Sequence, residues 1–214
     1  MADYMKNYTK AIKKPLPELK RTFDAELNFL KRNSNKSSMV LDVGCGAGRP
    51  ANDFARFVKR IMGIDHDNKM IHIAKIRCRN IKSTTFLKDN ALNMDFPENS
   101  FDLSYATYNL IGSLKKPQRQ RLVNKMMRVT KRGGKIINIT WKQDYSTTKF
   151  LKEYYSSIGI RIIKADKTKT VTSKGTFDRI SKKELLQYYR KAKLKRIKFF
   201  EIGPVWLAII GTKS

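Results

Sequence analysis

Cysteine, histidine and acidic side chains are scarce in this chain. Only two cysteines, Cys45 and Cys78, occur among 214 residues. Neither has a second cysteine at metal-ligand spacing, and so few thiols suit a reducing compartment better than a disulfide scaffold. His66 and His72 stand six apart with no third ligand signature nearby, so no metal site is expected. Long apolar runs are also missing. The longest near the C-terminus, VWLAII at 205–210, is far too short to cross a bilayer. The first ten residues, MADYMKNYTK, lack the apolar core of a secretory signal, so a cytoplasmic protein is expected.

The shortage of acid leaves a large excess of base. Eighteen Asp and Glu stand against forty-six Lys and Arg, a net charge of +28 with a pI near 10.2. Lysine, isoleucine and asparagine are plentiful, as an A- and T-rich coding bias would produce, but such a bias does not by itself remove glutamate. Between Asp102 and Asp144 there is no acid at all. Lys115, Lys116, Arg119, Arg121, Lys125, Arg128, Lys131, Arg132, Lys135 and Lys142 all fall there. A field of one sign this dense favours a polyanionic partner such as RNA. A solvated basic surface without a specific partner is the other reading. Apolar residues make up 41%, enough for one domain with a buried core.

Apolar periodicity alternates between the two regular structures. Residues 17–32 carry Phe23, Leu27 and Leu30 at helical spacing after Pro17. Strands are predicted at 39–45, 61–65, 84–89, 101–107 and 135–141. Helices fall between them, the last over 117–130 with Leu122, Met126 and Val129 on one stripe and KRGG at its end. This rhythm predicts a doubly wound parallel sheet with helices on both faces and ligand loops along one edge. Residues 160–181 look like extended segments with a polar turn. Ser181 and Glu184 form a capping box for another helix. Two extended stretches around Gly203-Pro204 predict a hairpin at a sheet edge. The whole is expected to be one domain. Residues 1–38 form an N-terminal helical cap, 39–141 a ligand-binding core, and 142–214 a recognition insert and hairpin.

The segment VLDVGCGAGRP, 40–50, carries the first chemical signal. Glycines after a strand let the backbone approach a ligand with no Cβ in the way. A tight turn without a ligand would look the same. The dinucleotide fingerprint requires a third glycine where Arg49 stands, which argues against a pyrophosphate at this helix start. Asp65 ends the second strand, 21 residues after Gly44, where an acid can accept from a ribose diol. Asp89 ends the third, where a carboxylate can accept from an exocyclic amine.

VLDVGCGAGRP, IMGIDHDNKMI, LKDNALNMDFPENSFDLSYAT and VTKRGGKIINITW together resemble the successive motifs of class I S-adenosylmethionine-dependent methyltransferases, in order, over about residues 39–141. The resemblance implies a seven-stranded, mostly parallel α/β sheet whose last two strands form the C-terminal antiparallel hairpin. It implies S-adenosylmethionine as cofactor. Asp42, Gly44, Cys45, Gly46 and Gly48 would surround or support its methionine portion, and Asp65 its ribose. His66 and Met70 would lie against the adenine ring, with Asp89, Asn90 and Ala91 at the adenine edge.

Methyl transfer from a sulfonium needs alignment and exclusion of water more than acid–base help. No catalytic residue is therefore obvious, and Tyr108 and Asn109 in the loop after strand four are the candidates. The adenine- and glutamine-methylating [D/N]-P-P-Y signature is absent; the segment reads ATYN. No cysteine lies after strand four or five for covalent cytosine methylation. Tyr4 and Tyr8 suit a lid over the cofactor, or else exposed tail residues. Tyr154, Tyr155 and Phe177, amid Lys152, Arg161, Lys164, Lys167, Lys169, Lys174 and Arg179, suit stacking on RNA with phosphate contact, or equally a buried aromatic core beneath a solvated face. The acceptor is thus RNA in one reading, and a small molecule or protein side chain in another. A cofactor-binding protein without turnover is a third.

Overall fold

A computed structural model describes residues 15–214; Tyr4 and Tyr8 lie outside the described residues. Seven strands form the main sheet: β1 (Met39–Val43), β2 (Arg60–Asp65), β3 (Thr84–Lys88), β4 (Phe101–Ala106), β5 (Thr130–Trp141), β9 (Lys195–Ile202) and β10 (Trp206–Thr212). Their order is β3-β2-β1-β4-β5-β10-β9. The first five are parallel, and β10 pairs antiparallel with both β5 and β9. Three short strands, β6 (Ile162–Ala165), β7 (Lys169–Thr172) and β8 (Gly175–Asp178), form a separate antiparallel sheet. The extended segments expected at 160–181 are therefore a sheet of their own.

Each central strand alternates between two cores, as its period of two requires. Val40, Tyr105, Ile137 and Ile139 face one cluster, which takes in α1 (Pro17–Arg32), α2 (Arg49–Phe54), α3 (Asn68–Arg77) and α5 (Tyr145–Ser157). Leu41, Val43, Ile136 and Ile209 face the other, which takes in α4 (Lys116–Val129) and α6 (Lys182–Lys191). The crossovers thus run to opposite faces from β1 and β4, and a crevice opens where their C-terminal ends diverge.

Two local differences from the sequence expectation have clear causes. KRGG does not end α4; it lies within β5, which starts at Thr130 directly after the helix. The buried Thr130 hydroxyl lies 2.7 Å from Met126 O and 2.7 Å from Ser104 Oγ, so one side chain closes the helix and joins the sheet without a loop. The C-terminal hairpin forms as expected, but its second strand is inserted beside β5, and of its two strands β9 alone is at an edge. Hydrophobicity decides this: β10 is buried over Trp206–Gly211, whereas β9 is mostly exposed and carries Lys195, Arg196 and Lys198. Charged edge strands resist pairing with other chains.

Candidate active site

The glycine loop after β1 is folded back across β2. Gly44 N and Cys45 N both donate to Ile64 O, at 2.8 and 2.9 Å. Gly44 and Gly46 have φ of 71° and 51°, in the left-handed region that penalises a side chain. A Cβ on Gly44 would also stand 2.8 Å from Leu110 Cδ2. Asp65, at the end of β2, fixes the loop. One carboxylate oxygen accepts from Gly46 N and the other from Asp67 N, both at 2.9 Å. A carboxylate has about four acceptor sites, so capacity for a diol remains.

Gly44, Gly46, Asp65, His66 and Met70 line one side of a cavity of about 280 Å³. Asp67 lines it as well and caps α3 by accepting from Lys69 N at 2.8 Å. The His66 ring is 85% exposed, so it forms part of the rim. Asp42, Cys45 and Gly48 stand behind the loop instead. Cys45 is buried in the core, and a Cβ on Gly48 would meet Ala74 of α3 at 3.0 Å. Asp89, Asn90 and Ala91 follow β3 beside the cavity but do not line it; Asp89 N donates to Asp65 O at 3.0 Å.

That segment is pinned from the basic helix. Arg121 Nε donates to Leu92 O at 2.8 Å, and its Nη2 bonds Asn93 Oδ1. Lys125 and Arg128 both donate to Met94 O, at 3.4 and 3.2 Å. Part of the positive charge of α4 is thus spent on carbonyls of its own chain.

Asp42 is 1% exposed, and no hydrogen bond of normal geometry reaches either carboxylate oxygen. Burial pushes its pKa up to about 7, opposed first by the Tyr105 hydroxyl beside it. The nearby Arg49–Glu26 ion pair, at 2.5 Å, is also buried and joins α2 to α1. The Arg49 guanidinium lies 3.9 Å from the Phe23 ring centroid. Arg49 therefore serves helix packing where a dinucleotide fold has its third glycine.

Aromatic rings form the other side of the cavity. Tyr108 and Asn109 are consecutive non-glycine residues with φ of 55° and 63°, a strained turn; both line the cavity, Tyr108 half-buried and Asn109 buried. Asn109 is a brace: its Nδ2 donates to Asp178 O at 3.1 Å, and its Oδ1 accepts from the Thr140 hydroxyl. Tyr108 donates to the Tyr154 hydroxyl, and its ring meets Trp141 edge-on at 5.6 Å between centroids. Tyr155 stacks on Phe177 at 5.8 Å and 23°. Tyr154 and Tyr155 are 2% and 6% exposed, so they belong to the cavity wall and its core and not to an open stacking surface. Arg179 is turned inward, with its guanidinium donating to the carbonyls of Lys167 and Lys169 at 2.9 and 3.2 Å.

Trp141, Ile158 and Asp67 line the cavity without having been singled out from sequence. Trp141 carried a usable signal, since it closes β5 on the same edge as Asp65. Ile158, in the turn after α5, carried none.

The residues present suit an adenosyl amino acid. Left-handed glycines give backbone access for an amino acid moiety, Asp65 gives acceptor capacity for a ribose, and Met70 with His66 gives an apolar and partly aromatic rim for a base. Residues 40–134 match the methyltransferase-domain family. The chain is 30% identical over 115 residues to sterol 24-C-methyltransferase of Saccharomyces cerevisiae, covering 52% of this chain and 29% of that protein. It is 33% identical over 107 residues to the enzyme of the same name from Eremothecium gossypii, covering 48% and 28%. It thus spans less than a third of the length of these curated relatives. An S-adenosylmethionine-dependent methyltransferase from Thermotoga maritima superimposes with a TM-score of 0.70 at 20% identity, covering all of both chains. Phosphoethanolamine N-methyltransferase 2 of Haemonchus contortus, solved with S-adenosylmethionine, gives 0.66 at 17% identity, over 89% of this chain and 52% of that one. At such identities the likeness is one of fold. Strand order, glycine loop and family match agree: residues 40–134 are similar to the methyltransferase-domain family, and the sheet around them has the fold of S-adenosylmethionine-dependent methyltransferases.

Proposed function

We propose that the chain transfers a methyl group from S-adenosylmethionine to a small acceptor whose reacting end enters the ring-lined half of the cavity. The observation that carries this is the single cavity with two chemically distinct sides: glycine backbone and Asp65 on one, Tyr108, Trp141, Tyr154, Tyr155 and Phe177 on the other. The cofactor, when bound, supplies an electrophilic methyl group on a positively charged sulfur. Gly44, Gly46 and Asp65 hold its body against the sheet edge. Tyr108, with its neighbour Leu110, orients the acceptor toward the methyl group, while the rings of Trp141 and Tyr154 keep water out. The sterol named in the curated relatives is one apolar acceptor compatible with such walls.

RNA is the second reading. Lys164, Lys167, Lys169 and Lys174 are exposed on the small sheet beside the cavity, which favours a phosphate-bearing partner. The burial of Tyr154 and Tyr155 and the inward turn of Arg179 weigh against stacking and phosphate contact by those three residues. Transfer of label from methyl-tritiated cofactor into fractionated cell extract separates the readings. Label in the small-molecule fraction is the expected result. Label confined to RNA would replace the first reading by the second, and no label in any fraction would refute methyl transfer.

A further inference from the structure

The acceptor side of the cavity is unusual in what its side chains can and cannot do. Among the described lining residues it offers the rings of Tyr108, Trp141, Tyr154, Tyr155 and Phe177, and near them Ile158. With Thr107, Asn109, Leu110 and Ser113 beside them, these described lining residues include no Lys, Arg or Glu. The cavity's two carboxylates, Asp65 and Asp67, and its one imidazole, His66, stand on the cofactor side at the end of β2. A hydroxyl or thiol acceptor is a weak nucleophile until it gives up its proton, and none of the described side chains on this side is a carboxylate, an imidazole or an amine that would take it first. An acceptor that is itself an anion would need a cation to hold it, and none of the described residues of this wall is one.

The geometry points to a neutral amine as the acceptor, held by an aromatic cage suited to the ammonium it becomes; this rests on the methyltransferase reading above. The amine lone pair forms the new N–C bond, the electrons of the breaking C–S bond stay on sulfur, and the positive charge passes to nitrogen. An N–H proton then leaves to water, so no base on this wall is required. Aromatic faces attract such a charge through their quadrupoles, most strongly where water is excluded. Tyr108, Trp141, Tyr154 and Tyr155 are all half-buried or buried, and adjacent rings stand tilted or edge-on, with 5.5 Å between the Tyr154 and Tyr155 centroids and 6.3 Å between Tyr108 and Tyr154. The phenol oxygens of Tyr108 and Tyr154 meet at this wall and can accept from an amine N–H, a role an alkene carbon would leave unused.

Calorimetry on the full chain tests this apart from turnover. The protein is first titrated with S-adenosylhomocysteine, then, when saturated, with choline and separately with 3,3-dimethylbutan-1-ol, the uncharged carbon counterpart of choline. Choline should bind at least about tenfold more tightly than the alcohol. Trp141→Leu should remove the preference while the S-adenosylhomocysteine affinity stays within twofold. Phe177→Leu, at the half-buried end of the cage and so less demanding of the fold, should reduce it. Equal affinity for the two probes, or binding of neither by a protein that binds S-adenosylhomocysteine, overturns the amine cage and leaves the methyltransferase reading standing. Failure to bind S-adenosylhomocysteine would overturn both.

Discussion

The two sides of the cavity are built by different means. The cofactor side comes from consecutive strand ends, β1 and β2, and its key contacts are donated by backbone N–H groups: Gly44 and Cys45 to Ile64 O, Gly46 and Asp67 to the Asp65 carboxylate. The acceptor side comes from residues scattered over Tyr108 to Phe177 and held by side chains. Asn109 and Arg119 both bind Asp178, which fastens the small sheet to the loop after β4 and sets Phe177 in the wall. A backbone-built side needs particular residue types at fixed spacing. A side-chain-built side needs only rings of suitable size, from wherever the fold brings them.

The largest effect should come from the cofactor side. Asp65→Ala removes both the ribose acceptor and the anchor of the glycine loop, and S-adenosylhomocysteine affinity should fall by about ten- to a hundredfold in calorimetry. An unchanged affinity would take Asp65 out of the site. By contrast, Phe177→Leu should change that affinity by less than about twofold, since packing at the far wall adds near-independently to cofactor binding. A comparable loss in both variants would show that the sides are not separable.

Asp42 tests the support behind the glycine loop. Its folded pKa, near 7, lies above its ordinary value of 3.8, so the folded state keeps a proton that the unfolded state has already lost between these values. Its contribution to stability therefore falls as pH rises from about 4 to about 7 and is constant above. Asp42→Asn should raise the melting temperature relative to the parent by an increment that grows across that window and then levels off. A pH-independent increment would show that Asp42 titrates normally.

The smallest effect concerns the exposed lysines. Changing Lys167, Lys169 and Lys174 together to Glu should leave cofactor affinity unaltered and lower the salt dependence of single-stranded RNA binding. The logarithmic slope should drop by about 0.7 for each phosphate that is no longer neutralised. An unaltered slope would remove the small sheet from any polyanion surface.

Much of this was legible in the chain before folding. The α/β rhythm, the C-terminal hairpin and the placing of Gly44, Gly46 and Asp65 at strand ends followed from periodicity and spacing, because each depends on neighbours a few residues away; Met70 came only with the family resemblance. The charge was harder to interpret. Arg119, Arg121, Lys125 and Arg128 look alike in sequence. In the fold Arg119 is buried against Asp178 and Glu184, and the other three clamp residues 92–94. Composition reports how much charge there is and nothing of where it points.

The sequence by itself determined the sheet and its ligand edge, since glycine conformation and strand-end carboxylates are local properties, and its resemblance to a known family pointed to the cofactor. Only the tertiary structure decided that Tyr154 and Tyr155 are walls and not a platform, that Arg49 packs against α1, and that Trp141 belongs to the site at all. Those outcomes depend on which distant side chains share one desolvated volume, and burial is a property of the assembled layers.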